Sequence, residues 1–280
     1  MTTDDPRARA YAAAGRMTRD RLITESPDDA AALAAVTRAD IVVVPGTYDR
    51  VEQVLDALSL PYTRVSPNQL ERARLRPEQL VVIDCPGTVG PGAVGRLAGF
   101  VADGGSLFTT DWALKHVVEP AFPGVLAFRQ PATRADVVRV EVRDHDNPFV
   151  AGVMDGRDDP QWWLEGSSYP ITVLDHERVK VLLASNDLAV RYGESAVAVL
   201  FPWGSGEVFH MISHYYLQRT ELRTARHQQN AMAFAGEKGY APSPEFAADF
   251  DALTLGEVES AASSTGMLAR IVADKKRRAG

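Results

Sequence analysis

Two stretches of this chain repeat one pattern: a short apolar run, a Gly/Pro turn, an amphipathic segment, then another apolar run. The first is "DIVVVPGTYDRVEQVLDALSLPYTRV", from Asp40; the second is "QLVVIDCPGTVGPGAVGRLAGFVADGGSLFTT", from Gln79. Runs such as "LVVID" are continuous rather than alternating, which marks strands buried on both faces. Strands alternating with helices of these lengths specify parallel βαβ units in an open α/β sheet. The loops after the strand carboxyl ends then fall at "PGTYD", "CPGTVG" and "TTDWA". Ligands in such sheets bind on that edge.

The texture differs on either side of these units. Through Arg38 the chain is rich in Ala, Arg and Asp and reads as one or two helices, with Ser26 as N-cap and Pro27 at the first helical position of the second. Between Ala135 and Met211 short β runs dominate: "DVVRVEV", "ITVL", "VKVLLAS", "AVAVLFP" and "GEVFHMI". "PWGSGE" reads as the hairpin turn between the last two. A helix is expected over Tyr215 to Gly239, and another over "GMLARIVADKKRRAG". The expected organisation is a helical arm over 1–38, an α/β core over 39–240 and a helical tail over 241–280.

A 280-residue chain that is 45% hydrophobic is long enough for a sizeable core. Its net charge of −7 argues against general phosphate-backbone binding, so no nucleic-acid partner is expected. The terminal "KKRR" is too short to change that, and suits the helix dipole. The charged amino terminus lacks the apolar segment of a signal peptide, and no run of about 18 apolar residues occurs. A cytoplasmic protein with no membrane partner is expected. The single cysteine, Cys85, excludes an intrachain disulfide and a cysteine-cluster zinc site.

The order of these pieces resembles the class I glutamine amidotransferase-like superfamily. It looks most like the non-amidotransferase branch that includes trehalose-utilisation-like proteins and β-galactosidase trimerisation domains. The matching residues are "IVVVPGTYDRVEQVLDAL", "LPYTRV", "LVVIDCPG", "LAGFVADGGSLFTTD", "DHDNPFVAGV" and "AVAVLFPWGSGEVFHMISHYY", with Asn147 where the family usually has His. The resemblance covers about Asp40 to Gly239. It implies a three-layer flavodoxin-like fold with a mostly parallel sheet, peripheral β-hairpins and helical additions at both ends.

In catalytic members of that superfamily a cysteine sits on a glycine-flanked strand-to-helix elbow. The matching place here is "TTDW", Thr109 to Trp112, with neither cysteine nor glycine. Without glycine, and with Trp112 adjacent, the strained angles of an elbow are not expected there. The family's late histidine matches His214, but Tyr215 and Tyr216 replace its Pro-Glu. Cys85 lies one strand earlier. Pro86 follows it and supplies no backbone N–H for an oxyanion, so Cys85 reads as a small buried thiol at a strand end.

Asp111 and His214 are the catalytic candidates, as a general acid–base pair across the sheet edge. The bland alternative has Asp111 capping the helix that starts at Trp112, and His214 as a structural residue. Gly46, Thr47, Cys85, Gly87, Thr110 and Trp112 are the expected pocket. The "HMISH" histidines, His210 and His214, stand on a strand about 13 Å apart, too far to share a metal. "RDHDNP" reads as an Asx-type turn rather than a calcium loop. The glycines of "CPGTVGPG" form neither a P-loop nor a dinucleotide fingerprint. No cofactor and no metal are expected. "DDPQWWLEGSSYP" offers Trp162, Trp163 and Tyr169 for stacking, but adjacent strand residues face opposite ways, so one tryptophan at most reaches a given pocket.

Two functions stay open. One is a small-molecule-binding or assembly domain that lacks the elbow cysteine, a pseudoenzyme with a carbohydrate-like ligand or a homo-oligomeric partner. The other is a hydrolase or isomerase on a carbohydrate-like substrate, using Asp111 and His214.

Overall fold

The computed structural model describes residues 5–217 and 219–279. The chain begins with helices α1 (Pro6–Glu25) and α2 (Pro27–Ala34), the second with Ser26 at its N-cap position and Pro27 first. There follow β1 (Ile41–Val44), α3 (Val51–Ala57), β2 (Thr63–Arg64), the short α4 (Pro67–Leu70), β3 (Leu80–Ile83), α5 (Pro91–Ala102) and β4 (Ser106–Thr110). β4 runs into a π-helical turn, Leu114–Val118, continued by α6 (Glu119–Ala121). The second half holds β5 (Leu126–Phe128), β6 (Asp136–Arg139), β7 (Glu141–Val142), β8 (Gln161–Leu164), β9 (Ile171–Val173), β10 (Lys180–Ala184), α7 (Asn186–Tyr192), β11 (Ala196–Trp203) and β12 (Gly206–Met211). Helices α8 (Ala231–Glu237), α9 (Pro244–Asp251) and α10 (Leu255–Ala279) close the chain.

The main sheet has eight strands in the order β2-β1-β3-β4-β12-β11-β10-β7. The five from β2 to β12 pair in parallel, and the remaining pairings are antiparallel. β1, β3 and β4 are buried at every residue, as the unbroken apolar runs of β1 and β3 require; β4 buries Ser106, Thr109 and Thr110 as well as Leu107 and Phe108. One helical layer is α1, α2, α3 and α10, packed on each other; α5 and α6 pack together as another. This is the three-layer α/β arrangement with a largely parallel sheet. The "PWGSGE" turn joins β11 to β12 as a hairpin.

Local pattern failed in three places. Of the helix expected over Tyr215 to Gly239, only Ala231–Glu237 is helical; Gln218 lies outside the described residues. Tertiary partners hold the stretch before it in irregular form: Arg223 Nη2 donates to the Val137 carbonyl, and Arg226 pairs with Glu237 and Glu259. Those fixed contacts outweigh helix propensity. "DVVRVEV" is divided between two sheets, with β6 paired to β8 and β7 on the edge of the main sheet. The peripheral β pieces, β5–β9 and β6–β8, are two-stranded antiparallel sheets made from segments distant in sequence rather than tight hairpins.

The "KKRR" cluster is tied inward. Lys275 Nζ donates to the carbonyls of Pro77 and Gly104, Lys276 to Asp40, Arg277 to Asp274, and Arg278 pairs with Glu207. Inside the sheet, His210 of β12 is fully buried, with Nδ1 2.9 Å from Thr109 Oγ1. Burial lowers its pKa to about 3, only partly opposed by the Thr109 hydrogen bond. The unfolded ring takes up a proton near pH 6.5, whereas the folded one stays neutral until about 3. This group's contribution to stability therefore falls as pH drops below 6.5, at ~1.4 kcal/mol per pH unit, until the folded ring titrates. Urea melts between pH 7 and 4 are expected to show a shallower acid limb for His210→Gln than for the wild type. Equal slopes would remove His210 from the acid response.

Candidate active site

The site lies where the carboxyl ends of β1, β3, β4, β8 and β12 meet. Asp111, directly after β4, has φ +48°, in the left-handed region. The strand thus turns sharply into the π-helical segment without a flanking glycine, contrary to the sequence expectation. Aspartate is among the few residues that adopt these angles at modest cost, and the Asp111 N–H is held by the Met211 carbonyl at 2.8 Å. A carboxyl thus stands on the left-handed turn between β4 and the π-helical segment.

Asp111 does not cap the following helix with its side chain. Its Oδ2 lies 3.2 Å from His214 Nε2 and accepts from Cys85 Sγ at 3.4 Å. His214 Nε2 is also 3.3 Å from Glu165 Oε2. Asp111 and His214 are almost fully buried, while the Glu165 side chain is 31% exposed. Glu165 follows β8, whose two tryptophans face opposite ways. Trp162 Nε1 donates to Ser263 of α10, and the Trp163 ring meets His214 edge-on at 6.1 Å.

Electrostatics separate the roles. Burial penalises a charged His214, but the Asp111 hydrogen bond and the nearby charges of Asp49, Asp111 and Glu165 outweigh it, and the pKa is raised. Burial raises that of Glu165 against the pull of His214, with Asp111 and Asp49 adding to the rise. Cys85 is pushed up by burial and then by the charge of Asp111. A protonated thiol beside a carboxyl is a poor nucleophile.

A cleft of about 170 Å³ opens above this cluster, lined by Tyr48, Cys85, Asp111, Trp112, Glu165 and Ser167 among others. Trp112 Nε1 donates to the Ser167 carbonyl at 2.6 Å, and its ring meets Tyr48 edge-on at 6.1 Å. Of the pocket read from sequence, Cys85 and Trp112 are here with Asp111. Gly46, Thr47 and Gly87 line a neighbouring cleft of about 120 Å³, together with Asp84. Thr110 lines neither of the two; it is buried beneath, its Oγ1 accepting from the Cys85 N–H. Gly46 is required by close approach: a Cβ there would stand 1.9 Å from the Cys85 carbonyl oxygen, which accepts from the Thr47 and Tyr48 N–H groups.

His210 and His214 do not share a site: His210 faces Thr109 within the sheet. "RDHDNP" forms an Asx turn, in which Asn147 Oδ1 accepts from the Phe149 N–H at 3.0 Å. The residues that sequence reasoning missed are Glu165, Tyr48 and Ser167. Glu165 sits inside the aromatic-rich stretch "QWWLEGSSYP", so a signal was present, but nothing local distinguished this carboxyl from others.

No family model matches the chain, and no curated protein does. Solved structures do resemble it. An exo-β-1,4-mannosidase from an Opitutaceae bacterium is 11% identical, covering 65% of this chain and 32% of its own, with TM-score 0.45. A cytoplasmic protein from Salmonella typhimurium is 12% identical over 63% and 88% of the two chains, with TM-score 0.44. A protein from Bacteroides uniformis described as ThuA-like is 11% identical over 64% and 83%, also at 0.44. The chain thus spans about a third of the mannosidase's length.

Proposed function

We propose that this chain is a non-amidotransferase member of the class I glutamine amidotransferase-like superfamily that binds a small polyhydroxylated ligand of the carbohydrate class and acts on it, as a hydrolase or isomerase, through Glu165. The observation that carries this reading is the buried His214 Nε2 set 3.2 Å from Asp111 and 3.3 Å from Glu165, two residues that line the cleft. Glu165 is the member of that set with substantial exposure toward a ligand. Its raised pKa suits a group that exchanges protons with a substrate oxygen. His214 and Asp111 are positioning residues behind it.

The walls suit a sugar. Tyr48 and Trp112 present ring surface with polar edges, while Glu165 and Ser167 supply groups for hydroxyl hydrogen bonds. At about 170 Å³ the cleft is smaller than the roughly 300–1,000 Å³ of drug-sized pockets, which favours a ligand of one or two rings. Amidotransferase chemistry is disfavoured by a thiol that is held protonated and followed by proline.

The test is a thermal-shift screen of mono- and disaccharides against the wild type, Glu165→Gln and Trp112→Ala. At least one sugar is expected to stabilise the wild type, by ~2.7 kcal/mol at a hundredfold excess over Kd, and to lose most of that effect in both variants. A panel without any shift, or a shift retained in both variants, would place ligand binding elsewhere.

A further inference from the structure

We infer that Cys85, Asp111 and His214 together hold a divalent transition-metal ion of the zinc class at the floor of the cleft. This rests on the reading of the cleft as the reactive site and names what its floor carries.

The geometry comes first. One donor atom from each of the three residues lies within 4.8 Å of the others, and all three side chains are buried. The Sγ–Oδ2 separation is 3.4 Å and the Nε2–Oδ2 separation 3.2 Å. Tetrahedral zinc bonds of about 2.0–2.3 Å put neighbouring ligand atoms roughly 3.3–3.8 Å apart. The two separations to Oδ2 are close to those of donors gathered around one ion, and the third, Sγ to Nε2, is within 4.8 Å.

Hydrogen-bond accounting is the second observation. His214 Nε2 faces two carboxyl oxygens, at 3.2 and 3.3 Å, and a single N–H cannot align on both. Asp111 Oδ1 is buried and has no hydrogen-bond partner among the described residues. A carboxyl that is 2% exposed rarely leaves an oxygen unmatched. An ion held through both carboxylate oxygens of Asp111 would engage Oδ1 as well as Oδ2, while His214 Nδ1, also buried without a hydrogen-bond partner among the described residues, faces away from it. Charge points the same way: among the described residues no Lys or Arg forms an ion pair with Asp111 or Glu165, and the basic side chain that approaches both is His214.

The donor set selects the metal. One sulfur, one imidazole nitrogen and one carboxylate suit borderline-soft zinc better than magnesium or calcium, which prefer all-oxygen shells. Three protein ligands leave a fourth position for water or substrate, the pattern of catalytic rather than structural zinc. Glu165 Oε2, 3.3 Å from His214 Nε2, borders the cluster. Loading is a balanced exchange: the Cys85 S–H and His214 Nε2–H bonds break, their electron pairs form the sulfur–metal and nitrogen–metal bonds, and the two protons leave to solvent. Sequence spacing could not show this, because Asp111 is 26 residues from Cys85 and 103 from His214.

The experiment uses the full chain, stripped with a chelator, dialysed and titrated with Co²⁺. A single equivalent is expected to bind, to give a thiolate-to-cobalt charge-transfer band and to be displaced by Zn²⁺. Cys85→Ser should lose that band. Asp111→Asn should weaken binding by more than the roughly 10–100-fold that loss of an outer-shell partner costs. Should either variant fail to fold, X-ray absorption of the zinc-loaded wild type must show one sulfur at about 2.3 Å. Absence of the band with no zinc retained through dialysis, zinc bound without a sulfur neighbour, or an unchanged Cys85→Ser spectrum would each overturn the site. The sugar screen on metal-free protein separates the two proposals. A sugar-dependent shift without metal binding keeps the cleft and removes the ion; metal binding without any such shift does the reverse.

Discussion

A chain ending at Pro242 is expected to be unfolded. The deletion removes α9 and α10, and α10 is an interior helix along most of its 25 residues. Leu255, Val258, Met267, Leu268, Ile271 and Val272 are all buried. At roughly 1.5–3 kcal/mol for each such side chain, their loss matches or exceeds the 5–15 kcal/mol that stabilises an ordinary domain. The deletion also uncovers the faces of α1 and α3 that pack on α10, and strips Trp162 Nε1 of its acceptor, Ser263. Far-ultraviolet circular dichroism and a thermal melt of residues 1–242 check this. A cooperative transition within a few degrees of the full chain's would show that α10 is a separable addition.

Glu165→Gln is expected to lower turnover of any carbohydrate substrate by about 10²–10⁴-fold, the usual worth of a positioned general acid or base, with KM changed far less. The substitution is isosteric, and the side chain is part-exposed, so the melting temperature should move little. That makes it a cleaner test than His214→Ala. His214 is 1% exposed, and its removal opens a cavity and leaves Asp111 and Glu165 without their imidazole partner. A Glu165→Gln protein with wild-type kcat would reduce Glu165 to a wall of the cleft. Equal loss of stability and activity would mean the residue is structural.

How far the sequence carried the fold follows from which interactions are local. β1 and β3 are written as runs of four apolar residues, and β4 follows a Gly-Gly pair, with glycine turns and the amphipathic segments of α3 and α5 between them. Each of those signals acts over a few residues. The strand β8 and the interior position of α10 have no such signature: β8 forms by pairing with β6, some twenty residues earlier, and α10 is buried by helices from both ends of the chain. The segment before α8 shows the opposite failure, with a helical composition overridden by fixed arginine contacts.

The site divides in the same way. Asp111 and His214 could be named from sequence because they match the elbow and late-histidine places of the family that the chain resembles. Glu165 could not, since nothing local placed the end of its strand at this edge of the sheet. The sequence alone also argued against Cys85 as a nucleophile, because Pro86 removes the needed N–H whatever the surroundings. The left-handed backbone of Asp111 and the 3.2–3.4 Å approach of Cys85 and His214 to its carboxyl belong to the tertiary structure. The Asp111 conformation is anchored by a carbonyl from β12, a hundred residues on, and the cluster exists because parallel strands end side by side. Sequence determined which chemical groups this edge of the sheet can present. Only the packed sheet decided that a thiol, an imidazole and two carboxyls converge there, because spacing along the chain carries no information about which strand ends become neighbours.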